Sequence, residues 1–220
     1  MTQPGTRTAK MREQVEKAIR QQLTQYATNE DSKALDGLMK FLITAQVQPM
    51  TDASIIHEAA WAIFRTFSFK EVAIGLKSES DGLYRYEEFV GMTKVMEDAL
   101  RKMAYTRDEY FSQKEYPSIR LSKVTELCIV EDNPGLESER DTYDPATFTA
   151  GSRESPDDFK EGDYMDIAMH TPTDELIGWI EVSKPAHGKL PSMAVIKRLE
   201  LFAAAVSILV QNARLKGQQQ

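Results

Sequence analysis

Apolar positions along the chain change their period several times, and each change marks an element. Residues 1–8 carry no pattern and are expected to be disordered. From Ala9 to Tyr26 the apolar residues are Met11, Val15, Ala18, Ile19, Leu23 and Tyr26, separated by Arg, Glu, Lys and Gln. That spacing predicts an amphipathic helix with a narrow apolar stripe. So thin a stripe suits packing on one partner, either the same domain or a second copy in a bundle. A wider stripe, Ala34, Leu35, Leu38, Met39, Phe41, Leu42, Ile43 and Ala45, predicts a second helix over 32–46, ended by Gln48-Pro49. Thr51 or Asp52 then caps a third helix that reaches Phe67. His57, Trp61 and Arg65 share one face of it, and the expectation is that they pack on a neighbouring helix.

The period then shortens to two. Glu71–Ser78 alternates Val72, Ile74 and Leu76, and Leu83–Met92 is rich in aromatic residues. Asp81-Gly82 between them predicts a tight hairpin. Helical spacing returns over 94–105. A polar, aromatic-rich connection spans 106–118. Ile119–Val130 reads as one strand, and the apolar run Leu127-Cys128-Ile129-Val130 predicts a central strand covered on both faces. After a long loop, 163–170 and 176–182 form a second hairpin around Thr171-Pro172-Thr173-Asp174-Glu175. Residues 192–213 form an unbroken terminal helix containing Ala203, Ala204, Ala205, Val206 and Val210. The order predicts an α+β fold: a mainly antiparallel sheet of five to six strands, with N- and C-terminal helices packed on one face.

Composition narrows the function classes. The chain has 220 residues, 41% hydrophobic and 28% charged, in the range of a soluble globular domain. No apolar run reaches the ~20 residues of a membrane span, and a polar N-terminus gives no signal peptide, so a cytoplasmic location is expected. The net charge of −7 argues against nucleic-acid binding. Most of it is local: residues 131–163 hold eleven Asp or Glu and three basic residues, a net −8. That segment predicts a solvated, mobile loop. A calcium site would need the D-x-[DN]-x-[DN]-G pattern, which is missing. The single cysteine, Cys128, excludes an internal disulfide, and His57, His170 and His187 lack metal-ligand spacing, so no metal site is predicted. No G-x-S-x-G, Walker or dinucleotide motif is present, so the chain is read as non-catalytic.

The arrangement resembles a GAF domain, a small sensory module. The carriers are the helix 52–67 leading into EVAIGLKS, the strand ELIGWIEVSKP with its Ile177-Gly178 step, the connection HGKLPS, and a terminal helix with Leu199, Phe202, Ala203, Ala204, Ala205 and Ile208. The resemblance covers roughly residues 32 to 214. It implies an N-terminal helical arm over 1–30, a GAF-like domain over 31–216 and a disordered tail over 217–220. It also implies a sensory or regulatory role, dimerisation through terminal helices, and action on a signalling partner protein. The N-K-x-F-D-E pattern of cyclic-nucleotide binders is absent. Free methionine sulfoxide reductases of this fold use several cysteines and this chain has one. Bilin attachment needs a pocket cysteine beside a histidine, and ELCIVED around Cys128 has none. His170 and Cys128 remain formal haem ligands, although an apolar strand favours packing for Cys128 and the strand end favours exposure for His170. The cofactor is left unassigned.

Alternation assigns the site. Met165, Ile167 and Met169 share one face of the first strand; Tyr164, Asp166, Ala168 and His170 share the other. On its partner, Leu176, Gly178, Ile180 and Val182 alternate with Ile177, Trp179 and Glu181. The apolar sets are expected to meet the helices. Asp166, His170, Trp179 and Glu181, with Cys128, are therefore the candidate small-molecule site. Met11, Val15, Ile19, Leu23, Leu35, Leu38, Leu42, Ala203, Val206 and Val210 are the candidate homodimer surface. The alternative is an interaction and dimerisation module with no small-molecule ligand.

Overall fold

The computed structural model describes residues 14–20, 30–47, 50–132, 141–143 and 153–217. A short helix, α1, covers 14–20. It is followed by α2 (Glu30–Val47), α3 (Asp52–Thr66), β1 (Phe69–Lys77), β2 (Tyr84–Val90), α4 (Lys94–Leu100) and α5 (Arg107–Tyr110). Then come β3 (Ile119–Arg120), β4 (Thr125–Cys128), β5 (Tyr164–His170), β6 (Leu176–Pro185) and α6 (Met193–Gly217). All six strands pair antiparallel, in the order β2-β1-β6-β5-β4-β3. The fold class is α+β. Met11, Leu23, part of the acidic loop and the last three residues lie outside the described residues.

Local chemistry sets the boundaries. Thr51 caps α3 through a reciprocal box with Ser54, which satisfies two otherwise orphaned backbone N–H groups. The β1–β2 hairpin closes at Gly82, whose φ of 75° suits glycine, and Asp81 accepts from the Leu83 N–H at 3.1 Å. His57, Trp61 and Arg65 do share a face, but His57 meets strand β2 at Glu88 (3.1 Å), and the Arg65 guanidinium lies 5.1 Å over the Trp61 ring.

Helices α3 and α6 pack on one sheet face and on each other, and α2 packs on both of them. Ile55, Ile63, Ile74, Ile167, Ile180 and Phe202 are fully or almost fully buried there. Phe41 of α2 stacks on Phe202 of α6 with centroids 5.1 Å apart. This packing corrects the expected dimer surface. Leu38, Ala203, Val206 and Val210 are buried in the chain's own core, and Leu42 packs partly against it. Ala203 and Ser207 of α6 are buried, and Ser207 donates its hydroxyl to the His170 carbonyl of β5 at 2.7 Å. The exposed side of α6 carries Leu201, Ile208 and Leu215 instead.

Three further expectations change. The strand 119–130 is broken at Ser122, whose hydroxyl accepts from the N–H groups of Val124 and Thr125 (both 3.1 Å). That turn folds β3 back on β4, so β4 lies one place from the edge and not at the centre. The helix expected to reach 105 ends at Leu100, because Tyr105 exchanges two backbone hydrogen bonds with Tyr84 (2.8 and 2.9 Å). On β6, Met169 faces Gly178 but His170 faces Leu176. The resulting bulge turns Ile177 to the helix-side core and Leu176 to the other face, reversing the simple alternation at this end.

The C-terminal part of the acidic segment, 153–163, is packed rather than solvated. Phe159 and Asp163 are buried. Asp163 accepts from the Val130 N–H (2.9 Å), the Lys160 N–H (2.7 Å) and both guanidinium nitrogens of Arg153 (2.8 Å each). A buried charge stripped of its partner costs roughly 3–5 kcal/mol. Asp163→Ala is therefore expected to lower the urea midpoint clearly, whereas the exposed Asp98→Ala should leave it nearly unchanged. Equal midpoints for the two variants would refute the anchoring role.

Candidate functional site

The sheet face turned away from α2, α3 and α6 is covered by the segment running through α4 and α5. Leu100, Met103, Tyr105, Tyr110 and Phe111 of that segment pack with Ala73, Tyr84, Tyr86, Phe89 and Trp179 into a second apolar cluster. The four-residue α5 is fixed by a capping box between Thr106 and Glu109. This holds Tyr110 over the sheet.

Trp179 of β6 is wholly buried. Its indole lies against Gly75 of the neighbouring strand, where an added Cβ would sit 2.4 Å from the ring. Tyr110 stacks on it at 4.6 Å and 27°, and Tyr86 meets it edge-on at 5.1 Å and 86°. Tyr105 and Tyr84 complete the surround at 6.1 and 6.3 Å. Aromatic pairs in these geometries add about 0.5–1.5 kcal/mol each beyond area burial.

Beside this cluster runs a row of carboxylates. Strand register sets Glu126 of β4 opposite Asp166 of β5, and Asp166 opposite Glu181 of β6. Tyr86 donates its hydroxyl to Glu181 at 2.5 Å and Tyr110 donates to Asp166 Oδ2 at 3.2 Å. Glu126 accepts from the Ser118 hydroxyl (2.6 Å) and pairs with Arg120 (3.0 Å). Burial, and then the charge of Glu181, push the Asp166 pKa well above the usual carboxylate range. Asp166 therefore keeps its proton to higher pH than an exposed aspartate. Burial likewise raises the phenol pKa of Tyr86, Tyr110 and Tyr164, so all three act as neutral donors. Among the described residues, Asp166 Oδ1 and Trp179 Nε1 are buried without a hydrogen-bond partner. An unpaired buried polar atom costs about 1–3 kcal/mol, and such an atom in a cavity wall invites a ligand.

Two adjoining cavities open onto this row. The larger, about 420 Å³, is lined by Asp166, Cys128, Ala168, Tyr110 and Glu126, with Arg107, Arg120, Lys123 and His170 also in its wall. The smaller, about 270 Å³, is lined by Glu181, Glu71, Met96, Met103 and Lys184 among others. Tyr86, Tyr105, Tyr116 and Tyr164 line both. The structure thus brings Asp166, His170 and Cys128 of the sequence-derived site to one cavity and Glu181 to its neighbour. Trp179 lies beneath, in the packed cluster. The tyrosines were missed individually. For Tyr110 and Tyr116 the signal was the aromatic density of the 106–118 connection, and for Tyr86 that of the strand 83–92, neither of which strand alternation reads as a site.

His170 is half-buried rather than exposed, with Nδ1 3.3 Å from the Asp174 carbonyl oxygen. Among the described residues, no group of three or more His, Cys, Asp or Glu side chains could hold a metal ion. No described helix is long and apolar enough to cross a membrane. Cys128 is buried, and burial followed by the Asp166 charge pushes its thiol pKa strongly up. Only the thiolate is a good nucleophile. Alkylation of native Cys128 by iodoacetamide at pH 8 is expected to run at least ~10-fold slower than in urea, read by mass spectrometry. Equal rates in the two states would show a reactive thiol.

No protein-family profile and no curated protein matches the sequence. Solved structures do match in shape. The GAF domain of a phosphoenolpyruvate-protein phosphotransferase from Coxiella burnetii superposes with a TM-score of 0.55 at 10% identity, over 86% of this chain and 99% of that one. The GAF domain of a putative sensor histidine kinase from Pseudomonas syringae pv. tomato gives 0.51 at 10% identity, over 92% and 97%. A free methionine-R-sulfoxide reductase from Neisseria meningitidis, in complex with its substrate, gives 0.52 at 8% identity, over 86% and 95%. The fold is GAF-like.

Proposed function

We propose that the chain is a non-catalytic sensory or regulatory module whose aromatic, carboxylate-lined crevice holds a small molecule. The observation that carries this reading is Asp166, which lines the larger cavity and whose buried Oδ1 has no partner among the described residues. A mainly aromatic enclosure with a few placed polar groups is what a small-ligand site requires. Two similar folds support the reading. One belongs to a putative sensor histidine kinase, and another was solved with its substrate bound. The single, buried, weakly acidic thiol of Cys128 argues against the reductase chemistry of the latter. A thermal-shift screen over nucleotides, tetrapyrroles, amino acids, amines and aromatic acids tests it. A ligand at 100 times its Kd stabilises by ~2.7 kcal/mol, a readily visible shift. A screen with no stabilising compound would leave this reading without support.

The second reading is a dimerisation and interaction module without a small-molecule ligand, acting through a signalling partner protein. The exposed helix faces favour it. Leu35, Met39 and Ile43 line α2 at four-residue spacing, and Val15 and Ile19 do so on α1. Leu201, Ile208 and Leu215 recur every seven residues on α6, the spacing of a helix–helix seam. Homodimerisation through these faces is compatible with either reading. Ile43→Asp with Ile208→Asp is expected to convert a dimer to a monomer in sedimentation at tens of micromolar, with unchanged helicity. A wild-type monomer at that concentration would remove the dimer.

A further inference from the structure

We propose, on the reading that the crevice is a ligand site, that it recognises a small organic ammonium ion, whose N–H reaches Asp166 Oδ1 and whose charge rests beside the Asp166–Glu181 carboxyl pair. Three observations converge on that class. The orphan is an oxygen of a carboxyl group that lines the larger cavity, and once that carboxyl gives up its proton the missing partner is a donor. The group directly opposite across the strand register is a second carboxyl, Glu181, which adds negative potential to the same spot. The surrounding walls are tyrosines: Tyr110 over Trp179, with Tyr86, Tyr105, Tyr116 and Tyr164 lining both cavities. Ring faces carry negative potential and attract cations within about 6 Å of their centroids.

The basic groups in the cavity walls do not turn this into an anion site. Arg120 is paired with Glu126 at 3.0 Å and Lys123 with Asp174 at 3.2 Å. Lys184 lies between Glu71 (2.7 Å) and Glu161 (3.0 Å). Arg107 sits over the Phe111 ring at 5.3 Å. Arg107, and Lys114 in the wall of the smaller cavity, have no carboxylate partner among the ion pairs of the described residues, and both come from the segment that covers the sheet, not from the carboxyl row. A quaternary ammonium fits less well than a primary one, since it carries no N–H for Asp166 Oδ1.

The site also sets a sign for pH. The groups that face Asp166 are Glu181 from β6, Glu126 and Cys128 from β4, Tyr164 from β5, Tyr110 from α5 and, through Glu181, Tyr86 from β2. None of them is a cation. A bound ammonium and the Asp166 proton therefore compete for one carboxyl pair. Affinity for an amine should rise with pH until the amine itself loses its proton near pH 10. A carboxylate ligand would show the opposite trend.

Titration calorimetry and thermal shift on the full chain test this, with phenethylamine and butylamine against phenylacetate, butyrate and tetramethylammonium. The primary amines are expected to bind with proton release, and tetramethylammonium more weakly. Asp166→Asn, a neutral isostere, should lower amine affinity about tenfold or more with its melting temperature held within a few degrees. Glu181→Gln serves as a second variant should Asp166→Asn fail to fold. Binding of the carboxylates with none of the amines would overturn the cation assignment and leave the ligand-site reading standing. Amine binding that both variants retain would place the amine elsewhere and overturn the assignment. Failure of every class in the broader screen would overturn both.

Discussion

The contact between Trp179 and Gly75 is the constraint on which the second face of the sheet depends. A buried indole needs flat space, and β1 provides it only because position 75 lacks a Cβ. With the ring pressed against β1, Tyr110 can stack above it and Tyr86 can meet its edge. Those two tyrosines then reach the carboxyl row, since Tyr110 bonds Asp166 and Tyr86 bonds Glu181. Packing and polar chemistry are thus one construction. Any side chain at 75 would lift the indole, displace both phenols and loosen their hold on the carboxyl groups.

The opposite face follows a simpler rule. Val72, Ile74, Ile167, Ile180 and Val182 are fully buried on the side of α3 and α6, so that face is mainly apolar, with the buried Thr125 bonded to Glu200 of α6 as a polar contact. The two faces divide the labour. One stabilises by apolar burial, at about 25 cal/mol per Å². The other gives up part of that burial to keep cavities and an unsatisfied carboxyl oxygen. Such a deficit persists only when the surrounding fold is secure. The helix-side core and the anchored segment 153–163 supply that security. Asp163 and Arg153 tie the segment to the backbone beyond β4, close to the smaller cavity that Asp163 helps to line.

Much of this was legible along the chain. Alternation placed Asp166, His170, Trp179 and Glu181 on the face away from the helices, because a strand's side-chain period is two. Capping chemistry placed the start of α3 at Thr51, and Asp81-Gly82 placed the first hairpin. The two strand errors share one cause. Where a turn or bulge inserts a residue, period two fails without a mark in the hydrophobic pattern. Ser122 split one expected strand into two, and the unpaired Ile177 exchanged faces with Leu176.

By itself the sequence determined the α+β class, the antiparallel hairpins and the sidedness of β5 and most of β6, since these rest on local periodicity and turn chemistry. Tertiary structure alone decided which helix faces lie in the core and which side chains line the cavities. Ala203, Val206 and Val210 read equally well as an interface or a core, and only the approach of α6 to the sheet put them inside. Tyr86 of β2 lies 95 residues from Glu181 and Tyr110 of α5 lies 56 residues from Asp166 in sequence, and the contacts that bring them together have no local signal. The same holds for acidity. Eleven carboxylates in 131–163 look alike along the chain, yet burial and an arginine fork make Asp163 an anchor while Asp157 stays at the surface.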